Sequence, residues 1–236
     1  ETISFKSSAT GFLTEPQLEL SCTNGGITQT TFLLPQSTQE TENKTNIALF
    51  FGEFNPITIG HMAVMMGVYA QIGFPIWVMP SYEGDLNPYQ RLKMCNYVCE
   101  ALGPNFNTFD YQINKKYIGS TYGLIKILKE DYPNINFYLV ASDDKIEKIL
   151  KNYSFGQELF TENPFIIIKR SGCQLKNNSH ILTRTIEIKF PCCSSKEIRK
   201  QIKFGNYEKA KSQLPWQVWQ EIETEKLYEY ENNYWE

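Results

Sequence analysis

The chain has 236 residues, of which 42% are hydrophobic, 21% charged and 14% aromatic. At roughly 100–200 residues per domain this is one domain with an appendage or two small ones, and the composition excludes disordered, collagen-like and coiled-coil chains. A net charge of −3 and a pI near 5.6 argue against a broad basic surface for nucleic acid, while leaving room for a local cationic pocket that binds a small partner.

Residues 1–45 are expected to form a β appendage, with short strand-like runs at 18–22 and 27–34 and a polar linker from 36 to 46. From residue 46 to 236 apolar β-type runs alternate with segments of helical period. The strands are expected at 47–51, 74–79, 108–113, 136–141, 165–169 and 185–190. The helices are expected at 60–71, 88–102, 121–130, 143–150, 195–203 and from 216 to about 230. Pro88 suits a first helical turn and Gly103-Pro104 a helix end. Strands joined by helices run parallel, so the fold class is α/β, a Rossmann-like doubly wound sheet whose ligands sit beyond the strands' carboxyl ends. The apolar runs are too short to cross a bilayer and no signal-peptide pattern opens the sequence, so the expected setting is cytoplasmic. Six cysteines without a C-x-x-C pair read as reduced thiols. Cys95 and Cys99 share a helix face, but neither His61 nor His180 stands at ligand spacing, and no protein metal site is expected.

Chemistry concentrates in two strings. The first, Phe51-Gly52-Glu53-Phe54-Asn55-Pro56-Ile57-Thr58-Ile59-Gly60-His61, leaves a strand and enters a helix, which aims unpaired backbone N–H groups and the positive helix end at an anion. Gly52 and Gly60 permit close approach of a nucleotide, and Asn55-Pro56 makes the turn. The second, Pro191-Cys192-Cys193-Ser194-Ser195-Lys196-Glu197-Ile198-Arg199, again runs from a strand into a helix, with serines in the capping region. Taken alone, the first reads sooner as an ordinary strand–turn–helix joint with an incidental histidine and the second as an ordinary capped helix.

Together the strings resemble the T/H-x-G-H and I-S-S-T-x-I-R signatures of the nucleotidyltransferase superfamily. The resemblance implies that Thr58 and His61 contact the nucleotide phosphates and stabilise the charge that builds at the α-phosphorus. It also implies that Ser194, Ser195, Ile198 and Arg199 grip the β- and γ-phosphates, with Gly52, Glu53, Phe54 and Gly60 completing the ATP site. Glu53 replaces the usual Ser or Thr, and its carboxylate is expected to turn away from the triphosphate. Cys193 replaces an Ile and Lys196 a Thr, so Lys196 is expected to bind phosphate.

The middle of the chain is similar to the nicotinate/nicotinamide mononucleotide adenylyltransferase branch. Tyr117–Leu128 resembles its pyridine-site segment, Phe137–Asp143 its strand ending in G-A-D or G-S-D, Arg91-Leu92-x-Met94 its R-L-x-M helix, and residues 162–172 with Arg170 its later strand and turn. This implies that Asp143 contacts the adenosine ribose and that Asn55, Arg91, Thr121, Tyr122 and Tyr153 bind the pyridine mononucleotide. Two departures stand out: the loop at 79–85 is short and acidic where bacterial relatives carry a longer one with a lysine, and Tyr153 stands where a Trp is usual.

The implied reaction is attack of a mononucleotide 5′-phosphate on ATP, with His61, Thr58, Lys196 and Arg199 catalytic and Mg²⁺ bridging phosphate oxygens. Phosphopantetheine as acceptor, or a nucleotide-binding module without turnover, remain the alternatives. Acid-versus-amide preference and a homo-oligomeric state are left open. Residues 9–14 also resemble, weakly, the last strands of a nicotinamide-nucleotide amidase.

Overall fold

Strand β1 (Gln17–Leu20) pairs antiparallel with β2 (Thr30–Leu33), Gln17 opposite Leu33. Both belong to a unit of residues 1–42, separate from the unit of residues 43–236. The computed structural model describes residues 17–20, 30–33, 44–169, 184–188 and 193–229. Residues 9–14, Arg170 and Cys192 lie outside the described residues.

The second unit begins with β3 (Thr45–Gly52), then α1 (Ile59–Ile72), β4 (Ile76–Pro80), α2 (Pro88–Leu102) and β5 (Phe106–Thr108). The chain then makes α3 (Tyr111–Asn114) and α4 (Thr121–Asp131), and returns through β6 (Ile135–Ser142), α5 (Asp143–Asn152), α6 (Gly156–Glu162), β7 (Phe165–Lys169) and β8 (Arg184–Glu187). It closes with α7 (Ser195–Lys203), α8 (Tyr207–Lys211) and α9 (Trp216–Thr224). All six strands of the sheet run parallel in the order β5-β4-β3-β6-β7-β8. The direction of strand addition reverses between β3 and β6, which opens a crevice at their carboxyl ends.

The pleat of β3 sorts its side chains. Ala48 faces a core with α1, α2, α7 and α9, whereas Ile47, Leu49 and Phe51 face a second core with α4, α5 and α6. Each buried Leu, Ile or Phe contributes about 1.5–3 kcal/mol, so the helices are clamped on both faces of a buried parallel sheet.

Two expectations need correction. A strand at 108–113 is not formed: β5 ends at Thr108, the Phe109 N–H makes a further bond to Val78 O at 2.7 Å, and residues 111–114 turn into α3. The alternation of Tyr111 and Ile113 mimicked a strand. The turn instead brings Phe109 and Tyr111 into one aromatic cluster with Trp77, Tyr132 and Phe137. The last helix stops at Thr224 rather than near 230, because Lys226 (φ 49°) and Tyr228 (φ 68°) adopt left-handed backbone that reverses the chain.

Candidate active site

The loop after β3 is built to present His61. Phe54 takes a left-handed backbone (φ 50°), which is uncommon outside glycine, and its buried ring packs edge-on against Phe50 and His61, with centroids 5.3 Å from each. The Asn55-Pro56 peptide is cis. Thr58 then caps α1: its Oγ1 accepts the His61 N–H at 3.3 Å, while the Thr58 N–H donates to His61 Nδ1 at 3.0 Å. A backbone N–H can only donate, so Nδ1 is an acceptor and the neutral ring carries its proton on Nε2. The neutral imidazole is thereby fixed with its one ring N–H at Nε2. Thr58 itself is fully buried and its hydroxyl lies 3.0 Å from Nδ1. It positions His61 and also lines the larger of two adjoining cavities, on the side where the sequence places a phosphate contact.

The second string folds onto the first. Ser194 caps α7 by accepting the Glu197 N–H at 3.4 Å, Ser195 Oγ donates to Pro56 O at 2.8 Å, and Arg199 donates from Nη1 to Asn55 O at 2.6 Å. Two helix N-termini more than 130 residues apart in sequence are thus tied together, and both contribute to one cavity. Lys196 lines it from an exposed position, and Arg199 also lies 3.6 Å from Asp85. Ile198, expected at the ATP site, is not among the cavity's walls: it is 0% exposed and anchors α7 in the core.

This cavity, of about 560 Å³, lies at the switch point between β3 and β6 and is lined by Gly52, Glu53, Phe54, Gly60, His61 and residues of both motifs. A smaller cavity of about 390 Å³ adjoins it, with Thr121, Gln112, Glu83 and Tyr153 among its walls. Tyr153, 41% exposed, lines both. The two cavities are adjoining lobes with shared walls.

Several expected ligand contacts are placed differently. Asn55, expected on the acceptor side, lines only the larger cavity, and its amide donates to Glu53 Oε1 at 2.9 Å while its Oδ1 accepts from Tyr228 at 2.8 Å. Glu53 also accepts from the Asp85 N–H at 3.4 Å, which turns its carboxylate toward the loop after β4. Asp143 is 1% exposed with Oδ1 accepting the Asp144 N–H; its neighbours Ser142 and Asp144 line the cavity instead. Tyr122 lies outside both cavities, its hydroxyl donating to Glu162 at 2.8 Å and its ring stacked on Phe155.

Arg91 is the largest correction. It is 0% exposed and lines neither cavity. Its guanidinium donates to Glu53 O at 2.7 Å, Leu86 O and Tyr82 O at 3.0 Å, and Glu83 O at 3.2 Å. Burial lowers its pKa, opposed by Glu53 and other nearby groups. A planar cation with five donors serves here as the pin of the short loop, not as a ligand contact.

Two further residues bear on the site, one in its walls and one behind them. Lys145 sits in the first turn of α5 and lines both cavities. Its position two residues beyond Asp143, at a strand-to-helix joint, was the available signal. Tyr228 reaches back across the fold to Asn55, and no local pattern announces that contact. Tyr228→Phe is expected to lower kcat severalfold and stability by about 1 kcal/mol, the loss of one hydrogen bond, as measured by steady-state kinetics and denaturant unfolding.

These observations define a nucleotidyltransferase-type site on a doubly wound sheet. A family model described as Cytidylyltransferase-like matches residues 49–201, and the chain belongs to that family. A protein of Staphylococcus epidermidis named "Probable nicotinate-nucleotide adenylyltransferase" is 30% identical over 193 residues, covering 77% of this chain and 96% of the relative. One of the same name from Hydrogenobaculum is 31% identical, covering 77% and 97%. The fold is similar to Plasmodium falciparum nicotinic acid mononucleotide adenylyltransferase complexed with NaAD, at 25% identity and TM-score 0.68, covering 78% of this chain and 98% of that one. The same enzyme complexed with APC gives a TM-score of 0.66.

Proposed function

We propose that the protein transfers AMP from ATP to nicotinate mononucleotide, forming deamido-NAD and pyrophosphate. The observation that carries this reading is the bilobed cavity at the switch point, with His61 and the N-termini of α1 and α7 at its larger lobe. An acceptor phosphate is already a nucleophile, so the chain needs only to align it and neutralise charge. His61 donates to the phosphates, and Lys196 and Arg199 offset the charge of the leaving pyrophosphate. Thr121 and Tyr153 border the lobe assigned to the acceptor. Among the described residues no cluster of three or more His, Cys, Asp or Glu could hold a metal. A magnesium ion would arrive on ATP and offset phosphate charge there, a role that needs few protein ligands. Among the described residues no helix is long and apolar enough to cross a membrane.

The test is pyrophosphate release from MgATP with nicotinate mononucleotide, nicotinamide mononucleotide or phosphopantetheine supplied separately. The expected result is fastest release with nicotinate mononucleotide. Release only with phosphopantetheine overturns the acceptor, and ATP binding without turnover identifies a nucleotide-binding module.

A further inference from the structure

The two lobes share five wall residues: Phe51, Gly52, Glu53, Lys145 and Tyr153. Lys145 is the cation among them. Its Nζ donates to Phe51 O at 3.2 Å and lies 4.4 Å from the Phe51 ring centroid, so the ammonium is held at the carboxyl end of β3. An ammonium has three donors, and one carbonyl uses one of them. Lys196 and Arg199 line only the larger lobe, and Arg199 already donates to Asn55 O. The loop after β4 adds Glu83 to the smaller lobe and no cation.

We propose that Lys145 is a catalytic residue of the AMP transfer, binding non-bridging phosphate oxygens where the acceptor's 5′-phosphate meets the α-phosphate of ATP. This rests on the adenylyl-transfer reading. An acceptor phosphate oxygen forms the new bond to the α-phosphorus, and the bond from that phosphorus to the oxygen bridging to the β-phosphate breaks, its electron pair leaving with pyrophosphate. Lys145 neither gains nor loses a proton in this step; it neutralises two anions that would otherwise repel each other. A desolvated ammonium is costly to hold without an anion, and bound phosphate offsets that cost. Burial pushes its pKa down to about 8, with Asp144 opposing and Lys148 adding to the fall.

The groups around it are Asp144 and Lys148 on α5, Tyr153 beyond it, Glu53 after β3, Glu83 after β4, and His61, Lys196 and Arg199 on α1 and α7. The folded-state pKa is lowered in the free protein, so the ammonium is lost there as pH rises through about 8, and kcat/KM should fall on that alkaline side.

The test compares the native protein with Lys145→Met and Lys145→Arg, using MgATP and each pyridine mononucleotide. Lys145→Met should lower kcat by about 30-fold or more, within the range of losing one transition-state donor. The loss should be equal for both mononucleotides, with an unchanged melting temperature. Lys145→Arg should recover at least a tenth of native kcat and move the alkaline fall to higher pH. Lys145→Met within about threefold of native overturns the proposal, as does a loss confined to nicotinate mononucleotide, which would mark a carboxylate contact. Equal inactivity of both variants with lowered melting temperature also overturns it, in favour of a tether on β3. No product from the native protein overturns the transfer reading and this proposal with it; product from native protein and undiminished Lys145→Met overturns the lysine alone.

Discussion

Replacement of His61 by alanine is expected to lower kcat for AMP transfer by about 100-fold or more, the order of removing one preorganised transition-state donor, about 2.7 kcal/mol. KM for ATP should change far less, because the ring donates most strongly where charge develops, at the α-phosphorus in transit. The geometry leaves the ring little choice. Nδ1 is held by the Thr58 N–H at 3.0 Å, and the ring face is fixed by Phe54 with centroids 5.3 Å apart. The same substitution removes half of a capping box, so a stability loss of about 1 kcal/mol should accompany the kinetic effect. Steady-state kinetics with denaturant unfolding of the same sample separates the two. A kcat loss below about threefold would remove His61 from the chemistry and leave it a cap.

The comparison of Thr58 with Arg91 shows what could be read in the sequence and what could not. The string from Phe51 to His61 specifies its own local structure, since Thr58 caps the helix that His61 enters. Its position after a strand also follows from the β-α alternation. Helices α2 and α7 occupy the residues their apolar spacing indicated, 88–102 and 195–203. What the spacing did not carry is the destination of each polar side chain. Ile198 and Arg91 belong to motifs that resemble ligand-binding ones, yet both are 0% exposed. A motif position can hold the loops that touch the ligand without touching it. Lys145 and Tyr228 went unread for the converse reason. Lys145 becomes informative only when β3 and β6 lie side by side, and Tyr228 joins Asn55 across 173 residues through a left-handed turn after α9. The short strand β5 was overextended because Tyr111 and Ile113 are apolar at a two-residue spacing, which a single helical turn beside an aromatic cluster also satisfies.

The second large effect concerns Arg91. Arg91→Leu should destabilise the protein by about 3–5 kcal/mol, because it strands several buried carbonyl acceptors. Four carbonyl groups, of Glu53, Tyr82, Glu83 and Leu86, then lose a charge-assisted donor at once. Each acceptor left unsatisfied away from water costs about 1–3 kcal/mol, and the loop lowers this toward the stated range by relaxing into solvent. That relaxation predicts the functional consequence. Glu53 and Glu83 carry walls of the smaller lobe, so the loop that moves shapes the lobe proposed for the acceptor, and on that proposal KM for the acceptor should rise more than KM for ATP. Arg91→Lys should lie between native and leucine in stability, because a point cation can neutralise the site but cannot span carbonyls that a planar fork reaches together. Denaturant unfolding of the three proteins, with acceptor KM measured on each, checks both halves. A stability loss below about 1 kcal/mol for leucine would mean the carbonyls find other partners and that the loop is held by something other than this guanidinium. A large stability loss with unchanged acceptor KM would separate the pin from the site, and assign the shape of the smaller lobe to Thr121 and Tyr153 instead.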